Sequence, residues 1–206
     1  MPSSTVYSIL LYRPSGAGQP ASDRGIFDGG RVTNGPSNPA SPPKAIDPKT
    51  IDPKTFWRAL GARASSVAVV TAQGAEGPSG FLALSATHLS ADPPMLMVSI
   101  DKRTASLAAV KHAQHFAINY LPRGEEALAD MFGGKTGQRG ADRFAPGRWG
   151  RLTTGAPVLD TAIGAFDCVL EDLVERFETV IAIGRLVDFS SRDDGDPLLF
   201  FRGAYR

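Results

Sequence analysis

Between residues 85 and 106 the chain carries Ser85, Thr87, Ser90, Ser99, Thr104 and Ser106. These hydroxyls gather at two predicted strand ends. Lys102 and Arg103 occupy the turn between the second strand and a predicted helix. Hydroxyls and free backbone amides at a helix start, beside two cations, form a seat for a phosphate group. The plainer reading of the same residues is a capped helix with a solvated basic turn. The stretch just upstream, GFLALSATHLSADPP (Gly80–Pro94), adds weight to a site. It begins as a β-strand, fills with small and hydroxyl residues from Ser85, carries the lone His88, and closes on Pro93-Pro94.

Other chemistries find little support. His88, His112, His115 and Cys168 lack the spacing of zinc ligands, and no metal site is predicted. HExxH, GxSxG, a Walker-type phosphate loop and GxGxxG are all missing from the chain. A Rossmann-type dinucleotide fold is therefore not expected. A hydrolase set drawn from Ser85, His88 and Asp92 has no spacing argument behind it. Cys168, the single cysteine, lies among apolar neighbours in a predicted strand, reads as inert core, and fits a reducing compartment.

The elements that must hold these residues begin near residue 50. Residues 1–50 contain eight of the sixteen prolines and little to bury, so they read as an arm or disordered leader. Within it, VYSILLY either pairs as an edge strand or lies loosely on the surface; it is a poor signal peptide. The pentapeptide IDPKT occurs at Ile46–Thr50 and again at Ile51–Thr55. The second copy starts a helix, with Asp52 as N-cap, Pro53 at the first helical position and Gly61 as the stop. From Ser65 the pattern is strand-rich: SVAVVTA, GFLALSATHL and MLMVSI. TASLAAVKHA reads as a helix, HFAINYL as a strand, and GEEALADMF as a short helix. The glycine- and arginine-rich loop at residues 133–156 is long enough to be functional or disordered. AIGAFDCVLEDLVE, TVIAIGRLVDF and PLLFFRGAY complete the chain. At least six strands without βαβ alternation predict a mainly β, antiparallel barrel with short appended helices.

A net charge of +1 with scattered cations gives no reason to expect nucleic acid or an acidic membrane surface. No apolar stretch reaches the ~18–20 residues of a membrane span. The expected location is cytoplasmic.

The chain resembles the flavin reductase-like domain family, the FMN-binding split barrels that include reductase components of two-component monooxygenases. FWRALGARASSVAVVTA, GFLALSATHLSADPPMLMVSI, HFAINYL, ALADMF, APVLDTAIGAFDCVL, IAIGRLVDF and PLLFFRGAY carry the likeness, from about Phe56 to Tyr205. It implies a six-stranded Greek-key split barrel over residues 51–206, dimeric, with FMN or FAD at the subunit interface. NADH or NADPH would reduce the flavin, and a partner monooxygenase would receive it. By position, Ala83, Leu84, Ser85 and Ala86 would line the isoalloxazine and ribityl chain, and Ser90 would close that wall. Ile100, Asp101, Lys102, Arg103, Thr104, Ala105 and Ser106 would hold the phosphate. Phe132 and Gly133, with Arg139 or Arg143, would approach from the loop after ALADMF. Glu178, Thr179 and Arg202 would face the nicotinamide side. No side chain is needed as general acid or base, so none is named catalytic.

Three departures from the family pattern stand out. Leu82 replaces a threonine, His88 replaces a serine, and Phe177-Glu178-Thr179 replaces Gly-Asp-His ahead of the IAIG strand. His88 either stands beside the flavin or points outward. Arg202 faces the nicotinamide side or lies on the surface. A flavin-binding module without efficient NAD(P)H oxidation is the alternative function, and an interaction protein whose pocket Leu82 and His88 block is another.

Overall fold

The computed structural model describes residues 51–145 and 148–206. The arm, its VYSILLY segment and the first IDPKT copy lie outside the described residues. Asp52 caps α1 (Pro53–Leu60), its carboxylate accepting from the Lys54 and Thr55 amides at 3.0 and 3.1 Å. β1 (Ser65–Ser66), β2 (Ala68–Gly74), β3 (Gly77–Ala83), β4 (Thr87–Ala91) and β5 (Pro94–Asp101) follow. Next come α2 (Ala105–Ala113), β6 (His115–Tyr120), α3 (Glu126–Phe132), β7 (Trp149–Arg151) and β8 (Pro157–Leu159). β9 (Gly164–Arg176) and β10 (Thr179–Ser191) form a long hairpin, and β11 (Leu199–Phe201) and β12 (Ala204–Tyr205) close the chain.

The main sheet has seven strands in the order β3-β2-β6-β9-β10-β5-β4, every pair antiparallel. The expected six become seven because GFLALSATHL is not one strand. It breaks at Leu84-Ser85-Ala86 into β3 and β4, the two edges of the sheet. Consecutive Cα atoms are 3.8 Å apart, so this link holds the two edges within ~14 Å. The sheet must therefore curl into a barrel, and it is split where the edges do not pair.

Alternation along β2 and β6 explains their unbroken apolar runs. Ala68, Val70, Phe116 and Ile118 point into the barrel with Val98, Ile100, Val180 and Ala182. Val67, Val69 and Ala117 face the opposite way, onto Leu128, Phe132, Val158, Leu159 and Leu198. Both faces of these strands are covered, so neither face can be polar. Thr71 and Asn119 are the buried exceptions, and each is satisfied. The Asn119 Nδ2 donates to the Val69 carbonyl at 3.1 Å, its Oδ1 accepts from the Leu159 amide at 2.8 Å, and the Thr71 hydroxyl donates to the Pro157 carbonyl at 2.5 Å. This polar knot fixes β8 to the barrel wall.

Gly184 admits Phe116 into the barrel: a Cβ there would lie 2.6 Å from Phe116 Cζ and 2.8 Å from Cys168 Cβ. Cys168 is fully buried, and burial, with Asp167 adding to it, pushes its thiol up to about 12. A neutral, enclosed thiol is a poor nucleophile. Alkylating reagents are accordingly expected to label Cys168 only after denaturation; labelling of the native protein at the rate of a free thiol would contradict this packing. Among the described residues no group of three potential metal ligands occurs, and no helix is long and apolar enough to cross a membrane.

Candidate functional site

A cavity of about 650 Å³ opens where β3, the end of β5, the start of α2 and the loop after α3 converge. That size suits a nucleotide-like ligand. From β5 and α2 it takes Ser99, Asp101, Thr104, Ala105 and Ser106; from β3, Ser79 to Leu82; from the end of α3 and the loop after it, Phe132, Gly133, Gly134, the segment from Thr136 to Gly140, and Arg143. Thr104 is the N-cap of α2, but its side chain makes no capping hydrogen bond. The first-turn amides of a helix have no internal acceptor, so α2 presents uncapped donors to this space. The Ser79 and Ser106 hydroxyls meet at 2.9 Å beside them.

Two glycines keep the cavity open and closely walled. A Cβ on Gly80 would lie 2.9 Å from both Phe132 Cε1 and the Val70 carbonyl, so this strand position must be bare for Phe132 to seat. A Cβ on Gly133 would press the Leu82 side chain at 3.3 Å. Leu82 thus packs against the loop as part of the cavity wall rather than plugging it.

The loop is tied down by Arg143. Its Nε donates to the Gln138 carbonyl at 3.0 Å, its Nη1 to the Gly80 carbonyl at 3.4 Å, and its guanidinium lies over the Phe132 ring at 5.8 Å. Arg143 is therefore a positioning residue. Arg139 lines the same cavity, and no ion pair to it occurs among the described residues.

The expected cations of the turn are placed differently. Arg103 folds back onto Asp101, with Nε and Nη2 at 3.0 and 2.7 Å from its two carboxylate oxygens. That guanidinium holds the Asp101 carboxyl down at about 2. Lys102 pairs with Glu175 at 3.3 Å, and Lys111 meets the same carboxylate at 3.6 Å. Neither Lys102 nor Arg103 lines the cavity. Ile100 and Ala83 are buried in the barrel, and Leu84 and Ala86 pack against the core. Ser85 reaches the site indirectly: its hydroxyl accepts from the Ser99 amide at 3.2 Å. Ser90 is engaged in the turn before Pro93, accepting from the Asp92 amide at 3.3 Å. His88 is exposed on β4 and lines no part of the cavity.

Thr179 pairs with Asp101 across β10 and β5, so the Phe177-Glu178 turn stands at the cavity rim. The Glu178 carbonyl accepts from the Lys102 amide at 3.0 Å. Arg202 lies elsewhere, lining a separate cavity with Trp57, Arg58 and Gly61. Ser79, Gly80 and Phe81 are the β3 wall residues that sequence reading missed. PSG reads as a turn, yet a glycine inside a strand is itself a signal of close approach by another group.

The model of the flavin reductase like domain matches residues 60–206. The chain belongs to this family. A relative from Agrobacterium fabrum, the FMN reductase (NADH) RutF, is 34% identical over 151 residues, spanning 73% of this chain and 86% of its own. Among solved structures, the Streptomyces globisporus NADH:FAD oxidoreductase SgcE6 in complex with NAD and FAD fragments is 26% identical, with a TM-score of 0.68, covering 77% of this chain and 96% of that one. BorF, the flavin reductase component of a bacterial two-component tryptophan halogenase, is also 26% identical, with a TM-score of 0.71, covering 75% and 97%.

Phe177 is 94% exposed with a φ of +51°. A side chain in the left-handed region costs ~1 kcal/mol or more, part of which glycine returns as unfolded-state entropy. Phe177→Gly is expected to stabilise the protein by about 0.5 kcal/mol in urea unfolding; destabilisation would mean that the ring makes contacts in the assembled protein.

Proposed function

We propose that this protein is a flavin reductase that oxidises NADH and delivers reduced flavin to a partner monooxygenase. The observation that carries the reading is the cavity at the uncapped start of α2, walled by hydroxyls and glycines. Its residues fit a flavin nucleotide. The Ala105 and Ser106 amides and the Ser79–Ser106 hydroxyl pair would hold the phosphate, with Arg139 adding charge. Gly80, Phe81 and Leu82 would flank the ring system, and the Gly133–Gly140 loop would cover it. A bound flavin supplies the chemistry, accepting two electrons from reduced nicotinamide.

The chain's own contribution is to bind, orient and exclude water. Arg143 fixes the loop, Phe132 backs it, and the Asp101–Arg103 pair keeps the α2 turn in shape. Asp101 remains ionised at any working pH, so no proton need pass through it. Hydride transfer between nicotinamide and flavin needs no side chain of the cavity as general acid or base.

A homodimer is part of the proposal. The side of β5 and β10 turned away from the barrel carries Met97 opposite Ile183, with Ile181 opposite Ser99 and Met95 opposite Arg185, and Ser99 continues that face into the cavity. A second copy set against these half-buried apolar residues would close the cavity from outside.

The test is anaerobic addition of NADH to the protein with FMN or FAD, following nicotinamide absorbance and flavin bleaching together. Catalytic turnover is expected. Saturable flavin binding with only slow, unsaturable reduction would instead favour the binding module, the alternative that Thr179 in place of histidine raises. Sedimentation giving only monomers would remove the dimer.

A further inference from the structure

A second cavity runs on from the first. It has a volume of about 490 Å³ and shares Ser79, Ala105 and Gly140 with the 650 Å³ site, so the start of α2 forms a common wall. We infer that this groove receives the adenosine half of a dinucleotide flavin, and that FAD is the preferred flavin of this protein. The inference rests on the flavin reading of the first cavity.

Its walls suit a flat ring. One side is the face of α2 carrying Ala105, Ala108, Ala109 and His112, spaced i, i+3, i+4 and i+7. Those residues span about 10 Å of helix axis, enough length for a nucleoside laid along them. The other side is the β2–β3 turn from Gly74 to Ser79, with Gly140 and Ala141 closing it. Gly74 lets turn and helix approach: a Cβ there would sit 3.1 Å from the Ala109 Cβ. Beside the Ser79 hydroxyl shared with the first cavity, Glu76 and His112 are the groove side chains able to read polar edges. A carboxylate accepts from ribose hydroxyls or an exocyclic amino group, and an imidazole stacks on a base or donates to its ring nitrogens. FMN ends at the phosphate seat and leaves this groove unused. FAD would continue from the same seat, through the junction of the two cavities at Ser79, Ala105 and Gly140.

Adenosine could also arrive on NADH, so the experiment separates the two sources. FMN and FAD are titrated into the full-length protein without nicotinamide, by flavin fluorescence. FAD is expected to bind at least about tenfold more tightly. Ala108→Phe, at an exposed helix position, fills the groove without touching the barrel. It should raise the FAD Kd about tenfold or more, with FMN affinity, melting temperature and KM for NADH in FMN-supported turnover all unchanged; Ala108→Ser should bind FAD as the parent does. Equal FMN and FAD affinity in the parent protein, or an Ala108→Phe effect common to both flavins, overturns the inference. A raised KM for NADH with FAD affinity intact assigns the groove to the nicotinamide dinucleotide and overturns it too. Failure of the parent protein to bind either flavin sinks the flavin reading, and this inference with it.

Discussion

Ala105→Glu is expected to weaken FMN binding about a hundredfold while leaving riboflavin affinity within about twofold. Ala105 is the first helical residue of α2, exposed, and part of the cavity wall. A carboxylate placed there takes the position of the ligand's phosphate. Two like charges ~5 Å apart near a protein surface repel by about 3 kcal/mol, which is roughly two decades in affinity. The helix itself should not suffer, because an acidic residue in a first turn interacts favourably with the helix dipole. The melting temperature of the unliganded protein should therefore hold or rise slightly. Riboflavin lacks the phosphate, which makes it the control. Parallel loss of riboflavin and FMN binding would point to a general distortion of the cavity, and unchanged FMN affinity would place the phosphate elsewhere.

Asp167→Ala is expected to cost about 3 kcal/mol or more of folding stability. Asp167 is fully buried on β9 and lines neither cavity. Its two oxygens accept from the Thr154 amide at 2.7 Å and the Thr154 hydroxyl at 2.5 Å. Hydrogen bonds to an ionised group contribute roughly 1.5–3 kcal/mol each, and their loss strands the Thr154 donors. Thr153 adds a second clasp, donating to Asp188 at 2.7 Å. Together they pin the segment that leads into β8, whose Val158 and Leu159 complete the outer core. His115, across the sheet, titrates below its ordinary range because burial disfavours the imidazolium, against the opposing pull of Asp167. Urea unfolding measures the effect as a shift in midpoint at constant slope. Asp167→Asn, which keeps one acceptor, should lose about half as much. A change under 1 kcal/mol in Asp167→Ala would show that the loop holds without this carboxylate.

Local chemistry was legible where it is decided locally. The Asp52 cap with Pro53 behind it needs only neighbouring residues, and α1 begins where they place it. The buried runs of β2 and β6 could be read because a strand covered on both faces has few polar positions to interrupt it, whereas β5 buries Leu96, Val98 and Ile100 and turns Met95, Met97 and Ser99 outward. Family likeness added the barrel, since the order of these runs is a property of the chain. The hydroxyls before the α2 start, Ser99 and Thr104 among them, were also visible, and they line the cavity.

What the sequence could not settle were partners and boundaries set by distance in space. Lys102 and Arg103 look like free cations beside a helix start, but Glu175 arrives from β9 and Asp101 from the same turn, and both claim them. Arg143, more than sixty residues from Gly80 in the chain, ties the loop to β3 instead. His88 posed the question of steric room in the flavin groove. The break at Leu84–Ala86 turns its strand into an outer edge and leaves the imidazole in solvent. Charge and hydroxyl content fixed which groups were available for a flavin nucleotide. Only the curling of the sheet, which brings β3, β5, α2 and the glycine loop around one space, decided which of them face it.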